Sequence, residues 1–410
     1  MARRPADRLH HTWGVWKSPT ITGRDPEVTL TGGYAYELIA IVRRDTRDPD
    51  LKVGVPASWH CGKVNQEGSI TGDPMESRSK VSSETAMPKW SRYAGQAIDL
   101  SSRRSIKIDS PGDCDAIVER CTKEIVVDNF YHLGRFWRGA VPLDSVEHIF
   151  GQAFNFSRLR TRKRQGQLET IFNAQGLPKY RLPVLNHVQV RFTLQSHKPV
   201  RLYPLESEIA GDPDHLIDDF VYSVEILGPA GVSFNLRDGL AGNLLAAHRF
   251  LSTQEMVFER LVVENKYVTE SPPLPLNARE RQDLLIASLL RSHEAGLTEV
   301  YYLFRVCGTN NCTSGPFSIL DNVLQYRWPQ RWGAMLYRLP LNPRMYLRAR
   351  GLDSNPSERK LVRREFADYI DDPETQARKR DHVKRLAAMR RASREAGGLR
   401  RNEEAGQEPQ

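Results

Sequence analysis

The sequence predicts an α+β fold in which an antiparallel sheet packs against helices. The strand evidence is clearest from Leu185 to Leu194, where apolar and polar side chains alternate as they do in a strand with one buried face. The helix evidence is clearest from Asn277 to His293, where apolar residues keep helical spacing behind a capping pattern formed by Asn277 and Glu280. Strand and helix signals in one region, without a βαβ repeat, favour this class.

The chain divides into three parts by composition. Residues 1–130 are polar and rich in turn formers, and we expect a poorly structured region of unknown role there. Residues 131–352 carry most of the apolar periodicity and form the predicted folded domain. Residues 353–410 are nearly half charged and hold few large apolar side chains, which predicts a charged helical or disordered tail.

The overall composition limits the class of protein. A chain of 410 residues with 40% hydrophobic residues can bury a sizeable core, which excludes collagen, full-length disorder and a polytopic membrane protein. The 59 Lys and Arg against 50 Asp and Glu give a net charge of +9. This excess permits an acidic partner but does not require one.

The remaining elements follow in chain order. In the N-terminal region we expect a strand at Ala35 to Val42, a loop at Gly62 to Trp90 and a short helix at Asp113 to Val127. In the central domain, a turn at residues 196–199 predicts that Val200 to Leu205 forms a hairpin with the strand before it. A further strand is predicted at Phe220 to Leu227. A helix with a mixed apolar face is predicted at Asn243 to Val263, and a helix that begins near Pro316 is predicted over Phe317 to Leu324. With Thr313 as N-cap, Pro316 occupies the third helical position, where its missing N–H costs nothing.

The compartment and the cysteines lead to further expectations. The basic N-terminus has no apolar stretch behind it, and no segment approaches about 18 apolar residues, so we expect a cytoplasmic protein without a membrane span. Five cysteines at irregular spacing do not resemble a disulfide framework. His10, His11, His60 and Cys61 form pairs without a third and fourth ligand at zinc spacing, so we expect no metal and no cofactor.

The residues that point to chemistry surround Cys312. A cysteine directly before a helix lies near the positive end of the helix dipole, which lowers a thiol pKa, and a nearby histidine can take its proton. His187 on the polar side of the predicted strand is the candidate base, and His197 is either its orienting partner or a surface residue. Asn311 either braces the loop or donates to an oxyanion. An inert buried cysteine is the alternative reading, and Cys307 is a rival nucleophile.

A basic run gives a second candidate site. Aromatic residues precede the cations Arg158, Arg160, Arg162, Lys163 and Arg164. One interpretation is a solvated edge beside a core segment. The other is a patch that contacts nucleic acid or an anionic surface.

Four ordered segments resemble the Lnb N-terminal periplasmic-domain family of lipoprotein transacylase-like proteins. They are Asn186-His187-Val-Gln-Val-Arg-Phe, the Leu-rich helix Asn277 to His293, the Tyr301-Tyr302-Leu303 strand that leads to Asn310-Asn311-Cys312-Thr313, and the segment Leu341 to Leu352. The order of histidine and cysteine is also similar to that of circularly permuted papain-like acyltransferases.

The resemblance implies a circularly permuted papain-like domain with Cys312 as nucleophile and His187 as base. The second histidine of such enzymes makes His197 a candidate for that role. It also implies a location in the cell envelope, in contrast to the cytoplasmic expectation above.

Two functional hypotheses follow. The first is a cysteine-dependent acyltransferase or hydrolase acting on an ester, thioester or amide acyl group of a lipid or peptide, including cell-wall peptides. The second is a non-enzymatic binding protein on a degenerate papain-like scaffold, which contacts nucleic acid or an anionic surface through the basic run.

Overall fold

The computed structural model describes residues 85–109, 124–164, 166–182, 185–207, 209–232, 235–304, 310–327, 330, 342–353 and 358–388. The predicted strand at residues 35–42 and most of the predicted loop that follows it lie outside these ranges. Within them the chain is an α+β structure with a large, mostly antiparallel sheet, which confirms the predicted class.

Twelve of the fourteen described strands form one sheet. Their order is β14-β12-β4-β7-β10-β11-β2-β3-β8-β9, with β1 added to β2 and β13 added to β11, while β5 and β6 form a separate two-stranded sheet. The single parallel pair is β2 with β11. The strands are β1 (Lys107–Ile108), β2 (Glu124–His132), β3 (Arg135–Pro142), β4 (Val146–Asn155), β5 (Thr161–Arg164), β6 (Gln167–Thr170), β7 (Asn186–Leu194), β8 (Val200–Pro204), β9 (His215–Ile217), β10 (Asp219–Leu227), β11 (Leu244–Ser252), β12 (Thr269–Glu270), β13 (Val300–Tyr301) and β14 (Lys360–Leu361).

The helices lie on both faces of this sheet. The longest, α3, begins at the predicted capping box, in which Asn277 and Glu280 cap each other's backbone N–H groups. The helices are α1 (Leu236–Ala241), α2 (Thr253–Val257) with its π-helical continuation (Phe258–Val263), α3 (Ala278–Ala295), α4 (Ser314–Val323), α5 (Pro343–Ala349), α6 (Val362–Glu365), α7 (Ala367–Asp371) and α8 at residues 373–388.

One face of the sheet carries the main apolar core. Val188 and Phe192 of β7 and Tyr222 of β10 point to this face and pack with buried side chains of α3 and α4 such as Leu285 and Phe317. The predicted alternation of β7 is therefore confirmed on its apolar side. At about 25 cal/mol per Å² of buried apolar surface, this core is the main driving force for the fold.

The other face of the central strands mixes polar side chains with apolar ones such as Val221, and it is buried as well. Arg191 of β7 contacts Asp219 of β10, Glu270 of β12 and Glu365 of α6 with N···O distances of 2.5, 2.9 and 2.6 Å. The polar side of β7 predicted from the sequence is thus real, but a second layer covers it and pairs its charges.

Three sequence predictions in the central domain are corrected. Residues 244–252, expected to begin a helix, form β11, in which every residue is buried; a strand covered on both faces loses the alternation that distinguishes it from a buried helix. The expected hairpin between β7 and β8 does not form, because β4 and β10 occupy both edges of β7 and β8 pairs with β3 and β9. The end of the helix expected at residues 113–127 is strand from Glu124 onward.

Both predicted domain boundaries fall inside packed structure. Residue 131 lies within β2, an interior strand of the sheet, so the folded body begins before it. Residues after 353 contribute β14, α6 and buried side chains such as Val362 and Ile370. Helix α8 is mostly exposed, as a solvated helix is. None of the helices in the described ranges has the length and hydropathy needed to cross a membrane.

Replacing Arg191 by methionine removes the ion-pair partner of Asp219 and leaves Lys360 as the remaining cation beside Glu270 and Glu365. We expect the free energy of unfolding at pH 7, measured by urea denaturation, to fall by about 3–5 kcal/mol, the cost of leaving buried charges unpaired. Arg191 lowers the pKa of Asp219 and of Glu365 in the wild type, so its loss raises both pKa values in the folded state. The variant therefore folds with extra protons bound. Its deficit relative to the wild type should therefore shrink as the pH falls toward 4.

The matched control is Arg279→Met on α3. Arg279 is 86% exposed and lies 3.7 Å from Asp283, so its loss should change the free energy of unfolding by less than about 0.5 kcal/mol. A similar small change for Arg191→Met would contradict the role given to the polar layer.

Candidate functional site

The start of α4 is built around Asn311. Its Oδ1 accepts hydrogen bonds from the N–H groups of Thr313 and Ser314, each at 2.8 Å, and its Nδ2 donates to Leu303 O at 2.8 Å. Thr313 is the N-cap residue and Pro316 is the third helical residue, as predicted. Of the two roles left open for Asn311, these three hydrogen bonds to the loop backbone serve the bracing role.

The thiol of Cys312 is buried between α4 and the beginning of β7. Cys312 is 2% exposed, and its Sγ lies 3.7 Å from Asn186 O, to which it donates, and 3.7 Å from Tyr301 Oη, from which it accepts. Burial raises the pKa of Cys312 to about 11, although hydrogen bonds from Tyr301 and the Val188 backbone oppose this shift. The expected lowering of the thiol pKa at the helix start is thus outweighed by desolvation.

His187 lies on the opposite face of the sheet. Its ring stacks on Phe154 with centroids 4.8 Å apart, and its Nε2 lies 2.8 Å from Ser223 Oγ and 3.4 Å from Glu225 Oε1. Burial lowers the pKa of His187 to about 4, with Glu225 acting in the other direction.

The structure does not bring Cys312 and His187 into contact. Val188 and Val190 point toward α4, so the side chain of His187, one residue out of phase, points away from it. Strand β7 therefore supplies backbone groups to Cys312 while its histidine belongs to the other layer. No hydrogen bond joins the two side chains within the described residues.

The other sequence candidates lie elsewhere. His197 is exposed in the turn after β7, at the opposite end of the strand from His187, so it does not orient His187 and the surface reading holds. Cys307, His10, His11, His60 and Cys61 lie outside the described residues. No group of three or more potential metal ligands occurs in the ranges that the structure describes.

His248, which the sequence did not single out, lies on the same face of the sheet as Cys312. Its Nδ1 is 2.6 Å from Tyr222 Oη and its Nε2 is 3.4 Å from Glu299 Oε2. No local signal marked it, because residues 244–252 form a strand that is buried on both faces and shows no alternation. His248 and Tyr222 are fully buried, so they form a core hydrogen-bond network without access for a substrate.

The cavity beside α4 is too small for a substrate. Its volume is about 30 Å³, close to that of one water molecule, and its lining is almost entirely apolar, with Val188, Tyr222 and Pro316 among the residues that form it. Cys312 does not line this cavity, and its own surroundings are those of a buried core residue.

The basic run forms an exposed hairpin. Strand β5 pairs with β6, so that Arg162 lies opposite Glu169. Just before β5, Leu159 pairs with Tyr180 of the segment that follows β6. Because neighbouring side chains alternate and directly opposite ones share a face, six cations lie on one face of this small sheet. We call it the cationic face: Arg158, Arg160, Arg162, Arg164, Lys179 and Arg181.

The two faces of the hairpin differ in their side chains. All six side chains of the cationic face are exposed. On the other face Phe172 contacts the Tyr267 ring with centroids 5.9 Å apart, and burial raises the pKa of Tyr180 to about 12. The face opposite the cations thus contacts the body near Tyr267, while its part at Lys163 and Leu168 is exposed, as the cationic face is.

Comparisons with known proteins add no family to this picture. No family model, curated protein or solved structure matches the chain.

We expect Cys312 in the native protein to react with iodoacetamide negligibly at pH 7 to 9, with the rate rising only as the pH approaches 11. The physical reason is the buried thiol with its raised pKa. The rate at Cys312 is read by peptide mass spectrometry, and His187→Ala should leave it unchanged because the imidazole lies on the other face. Reactivity well below pH 8.5 that disappears in the His187 variant would contradict this geometry.

Proposed function

We propose that this chain is a non-enzymatic binding protein that holds a phosphate-bearing or similarly anionic partner on the cationic face of the hairpin. The observation that carries the proposal is the gathering of six exposed cations on one face of a single small sheet. Guanidinium groups present planar, bidentate donors that match phosphate and carboxylate geometry, and five of the six cations are arginines.

The cations of this face are available for a partner. Residues 158–181 hold seven Lys and Arg and a single acidic residue, Glu169. Glu169 pairs with Arg162 at 3.3 Å. The other five cations of the face have no ion-pair partner within the described residues. An anion that binds to these five cations does not have to displace an existing carboxylate.

The scaffold that we propose is a degenerate papain-like one. The arrangement in its favour is a cysteine at the start of α4, laid against the first residues of a sheet strand whose second residue is His187. Two features differ from an active thiol site: the side chain of His187 points away from the thiol, and Cys312 is buried. Because nucleophilic catalysis requires the base within hydrogen-bond reach of the thiol, this arrangement favours binding over turnover.

The second candidate function is thiol acyl chemistry at Cys312, as the family resemblance implies. Two contacts favour it: the Tyr301 hydroxyl and the Val188 backbone N–H both donate to Sγ, and donors of this kind stabilise a thiolate once solvent reaches it. In that chemistry Sγ bonds to the carbonyl carbon of a lipid or peptide acyl group, and the leaving group departs with a proton. Water or an amine then takes the acyl group. Turnover of an ester substrate that Cys312→Ser abolishes would favour this second function.

Binding to immobilised heparin tests the proposed function. We expect the protein to be retained at low salt, and the triple variant Arg158→Gln, Arg160→Gln and Arg164→Gln to elute at a distinctly lower salt concentration. Each substitution removes one exposed cation from the face without touching a packed side chain.

The matched control removes the same net charge elsewhere. The residues Lys89, Arg237 and Arg348 are exposed and lie outside the hairpin, and their replacement by Gln should shift elution much less. Equal shifts for the two variants would show that only net charge matters and would overturn the proposal.

A further inference from the structure

We infer that the anionic partner is the phosphate backbone of double-stranded nucleic acid, with the cationic face as its docking surface. This inference rests on the proposed function and names its partner class. It is argued from the spacing of the cations and from the position of Leu168 and the hairpin aromatic rings on the face opposite the arginine row.

The cations form a regular row. Arg158, Arg160, Arg162 and Arg164 are alternate residues of one extended segment, so they repeat about every 6.8 Å and extend over roughly 20 Å. Lys179 and Arg181 lie beside the first two on the neighbouring segment. A nucleic-acid strand repeats its phosphates at fixed intervals, and a row of fixed cations matches such a polymer better than it matches mobile lipid headgroups.

A membrane surface fits this hairpin less well. Proteins that dock on anionic bilayers place apolar side chains and cations on the same side, so that the first enter the interface while the second contact headgroups. Here the most exposed apolar side chain, Leu168 at 74%, pairs across β5 and β6 with Lys163 and points to the face opposite the arginine row. A bilayer that contacts the arginines would leave Leu168 outside it.

Single-stranded nucleic acid also fits less well than a duplex. Single strands are held by aromatic rings on which bases stack beside the cations. The aromatic residues of the hairpin, Phe172 and Tyr180, lie on the other face and turn toward Tyr267. A duplex presents regular phosphates and needs no stacking platform, and its major groove has room for a two-stranded ribbon.

The test is fluorescence anisotropy of a labelled DNA duplex of about 20 base pairs, titrated with the full-length protein between about 50 and 200 mM salt. We expect the wild type to bind with an affinity that falls by about three orders of magnitude over this range, as it does for six phosphate contacts. In the Arg158, Arg160 and Arg164→Gln variant, the slope of log K against log salt should be smaller by about 2.7, since each contact contributes about 0.9.

The Lys89, Arg237 and Arg348→Gln variant should keep the wild-type slope. Parallel titrations with a single strand of the same sequence, and with vesicles of phosphatidylglycerol, separate the possible partners. Stronger binding to vesicles or to the single strand, or a slope that the hairpin variant does not change, would overturn the duplex assignment while the binding of an anion at the hairpin still stood. Absence of binding to duplex, vesicle and heparin alike would overturn both.

Discussion

The buried ion pairs on the second face of the sheet are the constraint on which the rest of this structure depends. Arg191 sits among carboxylates from β10, β12 and α6, and Arg260 of the π-helical turn pairs with Glu225 of β10. Arg249 of β11 pairs with Glu259 at 2.8 Å. A buried charge is tolerated only when it is paired. Each helix or strand that covers this face therefore has one position in which its charged side chains pair with those of the strands beneath it.

This second layer determines the surroundings of His187, the predicted base for Cys312. A strand with one solvated polar face would leave His187 open to a cleft, where it can serve as a base. Because the layer covers that face, His187 becomes part of a buried network with Ser223 and Glu225, and burial lowers its pKa. Cys312 is buried independently on the other side of β7, where the thiol form is favoured. The same backbone segment therefore holds both residues and keeps their side chains apart.

The sequence allowed part of this to be predicted because local rules govern part of it. The capping box of α3, the position of Pro316 in α4 and the alternation in β7 depend on neighbouring residues alone, and all three are confirmed. The strand that contains His248 was predicted to be a helix because both of its faces are buried, a tertiary property without a local signature. The pairing of β7 was also missed, since a turn at its end predicts a hairpin only when no distant strand competes for the edge.

The candidate functional residues, like the fold, could be predicted only in part from the sequence. Sequence identified Cys312, Asn311 and the basic run, and the structure places the first two together at the start of α4. The sequence could not indicate that His187 faces away from Cys312, because that depends on which helix covers which side of the sheet. Alternation within the basic run predicts that its even-numbered arginines share a face. The contribution of Lys179 and Arg181 to that face becomes visible only with the pairing of Leu159 and Tyr180.

The separation of Cys312 from His187 is the central claim, and an NMR titration of the His187 imidazole tests it most directly. The protein is labelled with ¹³C and ¹⁵N on histidine, and the His187 signal is assigned with His187→Gln. We predict that His187 titrates near pH 4 in the wild type and that its pKa is the same in Cys312→Ser. A His187 pKa above 6.5 that falls when Cys312 is replaced is the signature of a thiolate–imidazolium pair, and it would contradict this account.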